Sequence, residues 1–157
     1  MPEETPKHSV SVAGIVVDDQ DRVLVIKRRD NGHWEPPGGV LELGETFEEG
    51  VKREVLEETG VHVEVQRLTG VYKNMKRGIV ALVFRCRALV SNDATQTNEA
   101  TRVRWILPSV VVDLMDEAYS IRILDAFGEN IPVRVHDGTS LIKSRQHSGD
   151  GSLGSEK

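Results

Sequence analysis

The sequence has a single cysteine, Cys86, in 157 residues, which excludes an internal disulfide. Its place in the apolar run "GIVALVFRCRALV" reads as a buried, inert thiol. No apolar run approaches the ~20 residues that cross a bilayer, so no membrane span is expected. The N-terminal "MPEETPKHSV" lacks the apolar centre of an export signal, which makes the cytoplasm the expected compartment. Positive charge is short as well: 20 Lys and Arg stand against 25 Asp and Glu, a net charge of −5. That balance argues against a partner such as a nucleic acid polymer, which calls for a basic face. It leaves open a small anionic substrate held by a local site or by metal ions. There are no internal repeats.

What remains suits one domain. The chain is 38% hydrophobic and 29% charged, typical of a globular protein, and long enough for one core. "HSVSVAGIVVDD" and "RVLVIKRR" are rich in β-branched residues and read as a hairpin of two strands. "NGHWEPPGG" is a loop, punctuated by Asn31-Gly32 and Pro36-Pro37-Gly38-Gly39. A helix follows, then strands in "VHVEVQRLTGVY" and "GIVALVFRCRALV", a polar loop "SNDATQTNEAT", and a strand in "RVRWIL". Val111, Leu114, Ala118, Ile121 and Leu124 recur at spacings of three and four, predicting a second helix after Pro108. Strands, helix, strands and helix in that order predict a mixed sheet with helices packed on it.

The expected organisation is an N-terminal extension over 1–8, a domain over 9–127, an added hairpin over 128–142 around Asp137-Gly138, and a flexible tail over 143–157. The hairpin suggests either a cover for a sheet edge or a contact in a homodimer.

The densest chemistry lies in "GGVLELGETFEEGVKREVLEETGV", residues 38–61. Thr46 and Glu49 have capping-box spacing and Gly60 suits a helix end, which predicts a helix from Phe47 to Thr59. Phe47, Val51 and Val55 form its apolar stripe, yet Glu58 and Glu54 fall on or beside that stripe, with Glu57 one step further round. Such like-charged neighbours repel by about 0.2–0.5 kcal/mol per exposed pair. Taking ionised carboxylates out of water adds several kcal/mol each unless a counter-charge is supplied. A solvated acidic face would be the ordinary reading of three helical glutamates, and it suffices for Glu42, Glu48 and Glu49. The intrusion of acid into the apolar stripe calls instead for a hard divalent cation, for which carboxylate and carbonyl oxygens are the preferred ligands.

These residues also carry a resemblance. Gly39, five residues, Glu45, seven residues and then "REVLEETGV" from Arg53 to Val61 fill every fixed position of the Nudix box, with "WEPPGG" as its usual lead-in. The chain is therefore identified as a member of the Nudix hydrolases, the MutT-like family. The resemblance implies an α/β fold, an α/β/α sandwich around a mixed β-sheet. It implies an enzyme that hydrolyses a phosphoric anhydride bond in a nucleoside diphosphate linked to a group X, with Mg²⁺ or Mn²⁺. Carried over by position, Glu54, Glu57 and Glu58 are the metal-binding carboxylates, with Glu54 a candidate general base, and the Gly38 carbonyl is a further ligand. Arg53 orients the glutamates, Glu45 holds Arg53 or binds metal through water, and Glu99 is the later-loop glutamate that members often recruit.

Substrate contacts are less marked. Arg29 is the candidate phosphate contact from the Lys27-Arg28-Arg29 run, and Trp34 and Tyr72 are candidates for stacking on a base. Trp105 reads as core, and His33 and His136 as surface or structural residues. The signatures of ADP-ribose, diadenosine polyphosphate, NADH and coenzyme A hydrolases are absent, and elimination leaves nucleoside or deoxynucleoside triphosphates, oxidised ones included. The alternatives are a non-catalytic nucleotide-binding regulatory module, against which the intact box argues, and a hydrolase of ADP-ribose or another nucleotide sugar. Isoprenoid diphosphate isomerisation finds no cysteine placed for it.

Overall fold

The computed structural model describes residues 4–89 and 100–143. The expected loop glutamate Glu99 and nearly all of the C-terminal tail lie outside them. The strands are β1 (Ser9–Val17), β2 (Val23–Arg28), β3 (Trp34–Glu35), β4 (Gly38–Val40), β5 (Val63–Asn74), β6 (Ile79–Ala88), β7 (Ala100–Ile106) and β8 (Val133–His136). The helices are α1 (Phe47–Thr59), α2 (Val111–Leu114) and α3 (Glu117–Asp125).

All eight strands join one mixed sheet, ordered β3-β2-β1-β6-β5-β8, with β4 also on β1 and β7 also on β2. β1 runs parallel to β6 and β5 parallel to β8; the other pairs are antiparallel. Because successive side chains point to opposite faces, β1 feeds two cores. Ala13, Ile15 and Val17 join Val25, Val83, Val111 and Ile123 on the α2/α3 side. Val12 and Val16 join Val51, Val55 and Cys86 on the α1 side. Gly14, between them, has Val51, Val55 and Cys86 so close that a methyl group there would meet them at 3.0–3.2 Å. Helices on both faces of a mixed sheet make the expected α/β/α sandwich.

Helix α1 begins and ends where its residues dictate. Glu49 N–H donates to Thr46 Oγ1 at 3.2 Å and Thr46 N–H to Glu49 Oε1 at 2.9 Å. Gly60, at φ 77°, donates to the Leu56 carbonyl. Val51 and Val55 are fully buried, but Phe47 is 49% exposed, so the buried apolar stripe is shorter than expected.

The second helix is also not continuous. A 3₁₀ turn at Pro108–Val110 leads into α2, then Met115 and Asp116 take extended backbone before α3 begins. The periodicity survives the break, because Val111 and Ala118 are both buried on the same side of the sheet. Past α3, β8 adds to the β5 edge in register Val71↔Val133 to Asn74↔His136, and the chain reverses at Gly138, φ 104°, into a bridge of His136 with Leu141. β8 thus lies beside β5 at the edge of the sheet, and residues 137–140 turn the chain back to Leu141. No helix among the described residues is long and apolar enough to cross a membrane.

Candidate active site

The β4 strand, α1 and the loop between them bring the acidic residues together. Glu58 is only 2% exposed, and its Oε1 accepts the Gly38 N–H at 2.8 Å. Its other oxygen lies 3.9 Å from Arg28 Nη1. Glu54, 8% exposed, lies directly over Gly39, whose missing side chain makes room for it: a Cβ there would meet the Glu54 carboxyl atoms at 2.6 Å. Glu57 sits on the exposed side of the same helical edge.

Arg53 ties this edge together. Its Nη1 donates to Glu54 Oε2 at 2.9 Å and to Glu57 Oε1 at 3.2 Å, and its Nη2 donates to the Val40 carbonyl at 3.1 Å. Its Nε and Nη2 form a fork on the Glu45 carboxylate, which also accepts the Glu42 N–H. The Arg53 fork holds the Glu45 carboxyl down at about 2. As the side chains stand, no three acidic, histidine or cysteine groups among the described residues converge on one point. Arg53 and Arg28 divide the carboxylates between them.

A cleft of about 360 Å³ opens beside this edge. Gly38, Gly39 and Val40 form one end; Asn74, Tyr119, Arg122 and His136 form the other; Ser11 and Ala81 lie along the floor. Arg28 reaches in from the side, bonded through Nε to Asp30 at 3.0 Å and through Nη1 to Glu35 at 3.4 Å. Burial raises the Glu35 carboxyl above its ordinary range, against the pull of Arg28.

The expected substrate contacts are redistributed. Arg29 is exposed and does not line the cleft; strand alternation turns its neighbour Arg28 there instead. Tyr72 presents no face to a base. It is 0% exposed, with its ring in the core and its hydroxyl donating to Asp125 Oδ2 at 2.7 Å. Trp34 packs against the same core under Arg104, and lines a separate pocket of about 250 Å³ with His33 and Asp116. Of the two expectations for His136, surface or structural, its burial fits the structural one, and Arg122 and Tyr119 enter the cleft without having been singled out. The available signal was Arg122 four residues after Ala118, a lone cation on the apolar side of the helix.

Comparison with known proteins agrees with this architecture. Residues 7–127 match the family model described as NUDIX domain. A MutT-like protein of Streptomyces ambofaciens is 59% identical over 138 residues, covering 87% of this chain and 89% of that protein. An ADP-ribose pyrophosphatase of Methanocaldococcus jannaschii is 42% identical over 83 residues, covering 48% of each. The crystal structure of a NUDIX hydrolase from Nitrosomonas europaea superimposes with a TM-score of 0.73 at 23% identity, covering 85% of this chain and 82% of that one. The glycine turn, the capped helix and the glutamates gathered around Arg53 thus stand within the matched residues 7–127, and the chain belongs to the Nudix hydrolase family.

Proposed function

We propose that this protein hydrolyses a phosphoric anhydride bond in a nucleoside diphosphate linked to a group X, with Mg²⁺ or Mn²⁺ held at the α1 edge. The observation that carries the reading is the placement of Glu54 and Glu58, both nearly buried, against the bare backbone of Gly38 and Gly39 at one end of the cleft. The donor set suits a hard divalent cation in its chemistry: Glu54, Glu57, Glu58 and the Gly38 carbonyl offer only oxygen. Glu99, outside the described residues, remains a further candidate ligand. When bound, the cation supplies charge neutralisation at the phosphates and acidifies water.

The chain's own residues do the rest. Arg53, braced by Glu45, fixes where the Glu54 carboxylate points, and Glu54 is the candidate to take the proton of the attacking water. Arg28 presents a guanidinium to the phosphates from the side of the cleft. Nucleoside or deoxynucleoside triphosphates, oxidised ones included, are the first substrates to test. ADP-ribose and nucleotide sugars are the second reading, favoured by a cleft that continues well beyond the glutamates.

A screen of nucleotides, dinucleotides and nucleotide sugars with Mg²⁺ and Mn²⁺ tests this. Turnover of at least one compound is expected, lost in Glu57→Gln and Glu58→Gln proteins that remain folded. No turnover on any compound, or wild-type rates in both variants, would overturn it.

A further inference from the structure

The far end of the cleft holds a largely buried cation, Arg122, with one donor open to the cleft. Arg122 is 8% exposed on α3, and its guanidinium lies between the rings of Tyr72, at 5.0 Å, and Tyr119, at 4.8 Å. These faces hold the charge without neutralising it. Nε donates to the Ala118 carbonyl at 3.1 Å, and Nη2 lies 3.2 Å from His136 Nε2. Nη1 has no protein hydrogen-bond partner among the described residues and, not being itself buried, opens to the cleft; no carboxylate among them forms an ion pair with Arg122. Glu35, the acid whose charge Arg122 feels, is already bonded to Arg28.

The pairing with His136 is itself incomplete. Gly138 N–H donates to His136 Nδ1 at 2.9 Å, so one ring nitrogen faces a backbone donor while the other faces a guanidinium. A neutral imidazole has one acceptor nitrogen and one N–H, and cannot accept from both sides. An anionic oxygen between Arg122 and His136 Nε2 would accept from both, and would supply the counter-charge that the buried guanidinium lacks.

Its position defines the ligand. From β4 to β8 the sheet takes four steps, β4 to β1, β1 to β6, β6 to β5 and β5 to β8. At ~4.8 Å per step, the backbones of the Gly38 and His136 strands are roughly 19 Å apart, with the Arg28 and Glu35 side chains in the cleft between them. A group that reaches Arg122 and His136 therefore lies beyond a diphosphate held at the Gly38 end. The geometry points to a second subsite, made by Arg122, His136 and Tyr119, that binds an anionic group carried on the nucleoside or on X, remote from the diphosphate. The inference rests on the diphosphate lying at the Gly38 end, as proposed above. The preferred substrates are thereby nucleotides bearing an additional phosphomonoester or carboxylate.

The test measures binding to the full chain by calorimetry with a chelator present, using two pairs: NAD⁺ with NADP⁺, which adds a ribose phosphate, and UDP-glucose with UDP-glucuronate, which adds a sugar carboxylate. In at least one pair the charged member should bind about tenfold tighter or better, the scale of charge-assisted hydrogen bonds to a buried guanidinium. The pair that discriminates tells which part of the substrate carries the anion. In Arg122→Gln, or in His136→Gln if the first variant does not fold, the ratio should fall toward parity. Equal binding within both pairs, no binding by any of the four, or a preference that survives in a folded variant would overturn the subsite. Hydrolysis is assayed separately: a charge preference without turnover defeats the proposed reaction alone, and turnover without a preference defeats only the subsite.

Discussion

The Glu54 carboxylate occupies the space in which any side chain at Gly39 would have to begin. Glycine is required there by close approach rather than by an unusual backbone angle. Gly39→Ala should push the carboxylate off the β4 backbone and away from its bond to Arg53. We expect kcat to fall by about 10- to 100-fold, the usual scale for disturbing the support of a metal-site ligand, while the midpoint of thermal unfolding moves little. Steady-state kinetics beside a melting curve check it; unchanged kcat would separate Glu54 from the chemistry.

Glu45→Gln keeps an acceptor facing Arg53 but removes its charge. With the fork weakened, Arg53 is freer to leave Glu54 and Glu57. Activation by Mn²⁺ should require on the order of ten times more metal. A titration of rate against metal concentration reads this directly, and Glu45→Asp should recover part of the loss.

Tyr72→Phe tests the reassignment of that residue to the core. The hydroxyl's bond to the Asp125 carboxylate is lost, although Asp125 keeps its two contacts of 2.8 Å with Arg134. Stability should drop by about 1.5–3 kcal/mol, the cost of a bond to a charged group. The KM for nucleotide should be unaffected; a raised KM with normal stability would return Tyr72 to the binding surface.

Burial, with the neighbouring Arg122 charge, pulls His136 down to about 4. In the unfolded chain it titrates near 6.5, so between those values the unfolded state binds more protons than the folded one. Its contribution to stability is therefore present above pH 6.5 and lost as the pH falls toward 4. Urea unfolding followed from pH 7.5 to pH 4 should show midpoints declining through this window, and a folded His136→Gln protein should show a shallower decline.

The acidic end of the cleft was legible because its signals are local: a capping box, a terminal glycine and three glutamates at helical spacing lie within one stretch of chain. The far end was not. Arg122, Tyr119 and His136 come from a helix and an edge strand that meet only through tertiary pairing, and a lone arginine or histidine in sequence carries no sign of its neighbour. Tyr72 failed for a related reason: its alternating strand shows that a side is buried without saying that a half-buried carboxylate, Asp125, awaits the hydroxyl. The continuous second helix failed because periodicity counts residues and does not register the extended pair at Met115 and Asp116.

The first turn of α3 is bonded to the chain that follows β8: Ala118 N–H donates to the Thr139 carbonyl, and Leu141 N–H to the Glu117 carboxylate, each at 2.9 Å. The helix that carries Arg122 and the strand that carries His136 are thus clasped outside the cleft as well as within it. Local opening at this end has to break both ties at once, so the amides of Ala118 and Leu141 should exchange with solvent at a common rate, as one cooperative unit of the fold. A ligand that bridges Arg122 and His136 would slow both amides together.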